Sequence, residues 1–339
     1  MSSVAYPPTR VRRLPLATAA LLVVCVLLFV VALCVGPVPT APAALPRLLW
    51  GDPGDPLAVI VRELRLPRAL LAVLVGASLG MSGAALQGLL RNPLAEPGLL
   101  GISGCAALCA VLVFYGGYAA HDGWVLPLAG MIGAGMAVLG LYALAGRRAS
   151  MLTLILAGVA LNSLAAALTT LVLNLTPNPF AAYEIFFWLM GSLANRSFEH
   201  VWLVLPFVLV GGALLLASAR GLDALALGED VARSLGTDLD VLRRRVILGS
   251  ALTVGSCVAV SGVIGFVGLV VPHLVRPLVG HRPGALLGVS AVGGAALTLA
   301  ADLGTRFPLL NGELRLGVVT ALIGAPFFIH LVLRSRRLA

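Results

Sequence analysis

Residues 220–245 read RGLDALALGEDVARSLGTDLDVLRRR, a polar stretch between apolar runs whose reading decides how the rest of the chain is arranged. It holds Asp223, Glu229, Asp230, Asp238 and Asp240, five of the fourteen acids in the protein. Leu227, Val231 and Leu235 recur at i, i+4 and i+8, with Glu229, Asp230 and Arg233 off that line, which predicts a short amphipathic helix. Gly221, Gly228 and Gly236 punctuate the stretch, and LDVLRRR resumes a helix that runs into the next apolar segment. A short helix held between two membrane spans lays its apolar stripe either on lipid headgroups or on a protein. Glycine breaks and mixed charge favour the protein, because a helix lying on lipid usually has a basic polar face.

The surrounding chain is what makes those spans membrane spans. Of 339 residues 60% are hydrophobic and 11% charged, with a mean hydropathy of +1.04, the composition of a polytopic helical membrane protein. The net charge is +9 and every basic residue is arginine. With no lysine the chain cannot carry a P-loop of the G-x-x-x-x-G-K-[ST] type. The arginines are scattered around the spans without interleaved aromatics, which points to loop charge and away from nucleic acid. Cys25, Cys34, Cys105, Cys109 and Cys257 all lie in apolar runs with no C-x-x-C, so they read as packing residues. His121, His200, His273, His281 and His330 are too dispersed for a ligand cluster, and no metal or cofactor is expected.

Arg10, Arg12 and Arg13 precede an apolar run from Leu16 to Val35, long enough to be a retained first span rather than a signal segment. The Pro/Gly-rich interval Gly36–Pro56 is then an outside loop. Further spans are predicted at about 66–87, 94–114, 124–145, 152–173, 200–219, 246–264, 266–279, 286–303 and 314–333. That makes ten, with both termini cytoplasmic. Arg10/Arg12/Arg13, Arg147/Arg148, Arg220 with Arg243–Arg245, Arg276/Arg282 and Arg334/Arg336/Arg337 then all fall on the cytoplasmic side, as the positive-inside rule asks. Between Arg245 and Arg282 only about 36 residues must cross and return, so one of that pair is short or broken, with Pro272 the expected break. A shift of 179 residues aligns Arg65 with Arg244, Val75-Gly76 with Val254-Gly255, Ser82-Gly83 with Ser261-Gly262, Pro93 with Pro272 and Gly101 with Gly280. Five spans lie between the copies, so spans 2–5 and 7–10 form an inverted repeat, a transporter signature.

Three motifs invite chemistry. Gly76-Ala77-Ser78-Leu79-Gly80 satisfies G-x-S-x-G, but it sits inside a continuous apolar span, where small residues serve helix contact rather than a nucleophile elbow. Arg91-Asn92-Pro93-Leu94-Ala95-Glu96-Pro97-Gly98 is a tight reversal in which Glu96 is expected to cap the following helix. The glycines at 262, 265 and 268 lack the donors that cradle phosphate and read as close packing. Arg62, Arg65, Arg68 and Arg306 stand on the outside, which should be poor in arginine. Asp302 is an i,i+4 partner for Arg306, whereas Arg65 and Arg68 have no acid nearby in sequence except Glu63.

The stretches RLPRALLAVLVGASLGMSGAALQGLLRNPLAEPGLLGISG (65–104), LALGEDVARSLG (225–236), VSGVIGFVGLVVPHLVR (260–276) and ELRLGVVTALIGAPFFIHLVLR (313–334) resemble the FecCD-type permeases. These are membrane subunits of ABC importers for ferric siderophores, haem and vitamin B12, and the likeness runs from about residue 60 to the C-terminus. It implies an all-α, ten-helix permease forming one transmembrane domain over residues 1–339, the first span and outside loop in 1–60 and the coupling segment at 220–245. It also implies pairing with a second copy or a paralogue, cytosolic ABC ATPase subunits and an outside substrate-binding protein, all at the cell membrane. By the same resemblance Leu227, Gly228, Glu229, Ala232, Arg233 and Leu235 contact the ATPase, Arg65, Arg68 and Arg306 dock the binding protein, and Ser150, Met151 and Leu152 form the cytoplasmic gate. The expected cargo is an iron–siderophore-type chelate, and ATP hydrolysis belongs to the partner. An ion-coupled secondary transporter is the rival reading, since inverted repeats serve it too, but it needs ionisable residues inside the spans, and only Glu96, Asp302 and His330 offer themselves, near span ends.

Overall fold

The computed structural model describes residues 13–52, 54–118, 124–146, 150–306 and 314–336. Ten apolar helices answer the ten predicted spans. Seven are long enough to cross a membrane: α1 (Arg13–Cys34), α2 (Pro56–Leu89), α4 (Val125–Ala145), α5 (Met151–Leu175), α7 (Phe198–Ala217), α10 (Leu239–Ser261) and α12 (Pro283–Thr305). Three are apolar but shorter or interrupted: α3 (Ile102–Tyr115), α11 (Val267–Val275) and α13 (Leu316–Arg336). Four further α-helices sit in the connections of the described residues: a short one at Leu45–Trp50, α6 (Pro179–Leu189), which has no counterpart among the predicted spans, and α8 (Ala219–Leu225) and α9 (Glu229–Ser234). Arg10, Arg12, Arg147, Arg148, His121 and Arg337 lie outside the described residues.

Small residues set the helix spacing. On α2 a Cβ at Gly76 would lie 2.2 Å from the Gly294 carbonyl oxygen of α12, and one at Gly80 would lie 2.1 Å from that of Ser290. The G-x-S-x-G glycines are therefore a backbone contact between two helices, with Ser78 buried on the other side of α2, beside Cys257 of α10. The repeat is visible in the same contact. Gly255, 179 positions after Gly76, packs α10 on α4, where its Cβ would meet the Ala134 methyl at 2.3 Å. Thus α2 packs on α12 as α10 packs on α4, and α2 packs on α11 as α10 packs on α3. Equivalent one-turn 3₁₀ helices, Pro97–Leu100 and Arg276–Val279, both end on left-handed glycines, Gly101 (φ 75°) and Gly280 (φ 61°).

The cramped pair is short as expected, but the break is not at Pro272. Helix α10 stops at Ser261, residues 262–266 are irregular with Gly262 and Phe266 at φ 71° and 68°, and α11 then runs through Pro272. The physical reason lies on α2. Pro272 has no N–H for the Gly268 carbonyl, and the Gln87 amide donates to the Gly268 and Leu269 carbonyls (3.3 and 3.4 Å) instead. The break is paired from elsewhere: the Ser192 N–H donates to the Ser261 carbonyl at 2.7 Å, and the Ser261 hydroxyl to that of Gly262 at 3.0 Å. Glu96 makes no cap bond to the 3₁₀ turn it precedes; its carboxylate instead lies against the Phe266 backbone at the start of α11.

Candidate functional site

Two ends of the bundle carry the candidate residues. At the near end, the turn after α2, residue Ala226 and the α11–α12 connection meet around one cavity. At the far end, the segment after α1, the start of α2, residues 192–196 and the end of α12 surround another.

The near end presents the 220–245 stretch. Leu222 and Leu225 of α8 are fully buried and anchor it to the bundle. Gly228 then turns at φ 116°, a conformation an L side chain rarely adopts, and starts α9. Gly236 at φ 81° ends the excursion, and the Asp238 carboxylate accepts from the N–H groups of Asp240 and Val241 (2.9 and 3.0 Å) to start α10. Leu227, Val231 and Leu235, the three residues the spacing aligns, are 66%, 45% and 63% exposed. Ala232 is fully buried and presents nothing outward. Glu229 faces both Arg233 (3.4 Å) and Arg243 of α10 (3.5 Å), which ties the stub to the helix that follows it. An apolar stripe on a charge-braced stub suits a protein groove. Ser150 caps α5, accepting from the Thr153 N–H at 3.1 Å, with Met151 half-buried and Leu152 exposed beside it.

At the far end the arginines are largely engaged within the chain. Arg65 is buried, and its guanidinium donates to the carbonyls of Leu33 (2.9 Å), Cys34 (3.1 Å) and Val38 and to the Thr40 hydroxyl (3.0 Å), fastening the end of α1. Arg306 pairs with Asp302 at 2.8 Å, as the i,i+4 spacing predicts, and also donates to the Val35 carbonyl at 3.0 Å. Arg68 does have an acid: it donates to Asp302 at 2.9 Å and to the Thr305 hydroxyl at 3.0 Å, a pairing across 234 residues that no local spacing could show. Burial pushes the Arg306 guanidinium down from its ordinary range, and Asp302 acts in the opposite direction. These three line a cavity of about 680 Å³ with Asn195 and Arg196. Arg196, missed by the sequence reading, is desolvated there and its Nε has no hydrogen-bond partner. Among the described residues one carboxylate, Asp302, thus serves a cavity ringed by four guanidinia.

A ten-helix bundle of two matched halves, with an exposed stub at one end and a cationic cavity at the other, is the body of a membrane transport permease. The chain belongs to the FecCD transport family, whose model matches residues 22–334. It is 41% identical over 289 residues to the uncharacterized ABC transporter permease protein YvrB of Bacillus subtilis, covering 84% of this chain and 81% of the relative. It is 40% identical over 294 residues to the vitamin B12 import system permease protein BtuC of Salmonella typhi, covering 85% and 89%. Among solved structures, a chain described as an inward-facing conformation of a transporter assigned to the metal-chelate ABC type matches with a TM-score of 0.85 and 32% identity, over 94% of this chain and 99% of that one. This chain is accordingly an ABC importer permease of the FecCD and BtuC type.

Proposed function

We propose that two permease copies, identical or paralogous, form a path for an iron–siderophore-type chelate, driven by ATPase subunits seated on α9. The reading rests chiefly on one observation, the exposed stripe Leu227, Val231 and Leu235, which nothing among the described residues covers. The near end is taken as cytoplasmic because Arg91, Arg220, Arg243–Arg245, Arg276 and Arg282 gather there. ATP-driven closure of the partners would move the stubs and rock the matched halves about a central site. Helix α5 supports the paired state. It carries Asn162, Ser163, Thr170 and Asn174 exposed along a span without a charged residue, and polar groups facing lipid are costly unless another chain encloses them. Ser150, Met151 and Leu152 at its near end are the proposed gate. Arg65, Arg68 and Arg306 are proposed to meet the binding protein as the cationic wall of the far cavity. A metal-chelate neighbour and vitamin B12 relatives both support a bulky chelate as cargo, and the weakly polar α5 face suits one. The test is uptake by proteoliposomes holding the permease, its ATPase and its binding protein, with labelled ferric siderophore, haem and cobalamin compared. ATP-dependent entry of the ferric siderophore is expected. Entry of another cargo alone reassigns the substrate, and entry driven by an ion gradient without ATPase replaces the mechanism.

A further inference from the structure

The near-end cavity, about 190 Å³, is lined by Gln87 and Arg91 from the end of α2, by Arg276 and His281 from the α11–α12 connection, and by apolar atoms of Ala84, Pro93, Ala226 and Leu286 among others. Its volume lies below the roughly 300–1,000 Å³ of sites for small organic ligands. Among the described residues no carboxylate lines it, while two guanidinia and an imidazole do. Arg276 is held in place: its Nη2 donates to the Gln87 side-chain oxygen, and its Nε is buried with no partner. Arg91 and His281 both stand at positive φ, 48° and 66°, two of only four such non-glycine residues among those described. Backbone conformations of this kind are costly and are retained where the surroundings fix them.

We infer that this cavity is a socket for one acidic side chain of the ATPase subunit docked on α9. Three observations point to that occupant rather than to lipid. The socket opens beside Ala226, the residue before the exposed stub Leu227–Leu235, so a protein on the stub covers its mouth. The space suits a single carboxylate. The donors are two guanidinia and an imidazole with no carboxylate among the described lining residues, which suits one anionic side chain. Neither end of the bond is local to the stripe, so the socket adds a second, charge-reading contact to an apolar one. Because the socket encloses the carboxylate, loss of its partners acts on the dissociation rate, where an exposed rim charge would act on association.

The inference rests on the ATPase docking at α9, and the test separates the two. The wild-type chain is purified with the ATP-binding-cassette subunit of its own importer and placed in nanodiscs, and the ATPase dissociation rate is measured at low and high salt. Arg91→Asp with His281→Asp removes the exposed donors and introduces negative charge, with Asp chosen because it tolerates positive φ. Arg276 and Gln87 are left intact to keep the fold, which an unchanged melting transition confirms. The double variant is expected to release the ATPase at least tenfold faster at low salt, with the two rates converging at high salt as screening takes over. Equal rates at low salt overturn the socket while leaving docking at α9 standing. Loss of ATPase from the Leu227→Asp, Leu235→Asp chain is the separate check on α9, and its failure removes the docking reading itself. If instead the double variant loses bound phosphatidylglycerol with the ATPase rate unchanged, the cavity holds a lipid headgroup and the inference is wrong.

Discussion

Asp302 carries two arginines at once, and its side chain is 1% exposed between them. Among the described residues Arg306, 5% exposed, has this carboxylate as its only ionic partner, while Arg68 is 22% exposed and keeps contact with water. A buried ion pair is weak evidence of net stability, but removing one member leaves the other charged and desolvated. Asp302→Asn should therefore destabilise the protein by about 3–5 kcal/mol, read as a lower melting transition in micelles. Arg68→Gln should do less, about 0–1 kcal/mol, because its guanidinium is partly wet. Equal losses for both would mean that Arg68 is the buried member in solution. The same accounting bears on docking. Arg65 spends its donors on the end of α1, so its substitution should affect folding before it affects a partner.

Among the elements, the contact between α2 and α12 has no room for a side chain at Gly76 or Gly80, and its repeat partner has none at Gly255. Gly76→Leu and Gly255→Leu should each force their helices apart and destabilise the bundle by about 1–3 kcal/mol or more. Gly135 on α4 has open space where its Cβ would stand, so Gly135→Ala should be neutral or stabilise by up to about 1 kcal/mol through helix propensity. Thermal melting of the three variants side by side checks this. A tolerated leucine at Gly255 would show that the second half packs more loosely than the first. The broken helix follows the same logic in reverse. Its irregular backbone at 262–266 persists because Ser192 and Ser261 meet polar groups at its start, with the Glu96 carboxylate beside Phe266 at its end.

For the whole molecule, the uncovered polar face of α5 is the feature a lone chain in lipid leaves unexplained. In a cysteine-free background, Ala167→Cys, in line with Ser163, Thr170 and Asn174 on that face, should cross-link two permease chains in native membranes. Leu209→Cys, exposed on α7, should not, since it faces lipid. A cross-link at α7 alone would place the pairing surface on the other side of the bundle.

What the sequence determined by itself was what is encoded locally. Ten apolar runs, the i, i+4, i+8 line of Leu227, Val231 and Leu235, the glycine stops around it and the 179-residue repeat are properties of neighbouring residues or of one stretch compared with another. Hydropathy and helical period translate such properties directly into spans and exposed stripes. The tertiary structure alone decided where Arg68 finds its acid, why α11 passes through Pro272 while the chain breaks at 262–266, and that Gln87, Arg91, Arg276 and His281 share one cavity. Each depends on which helices lie side by side. A carboxylate, an amide or a spare carbonyl in a membrane interior must be met by whatever group the packing brings to it, and sequence distance says nothing about which group that is.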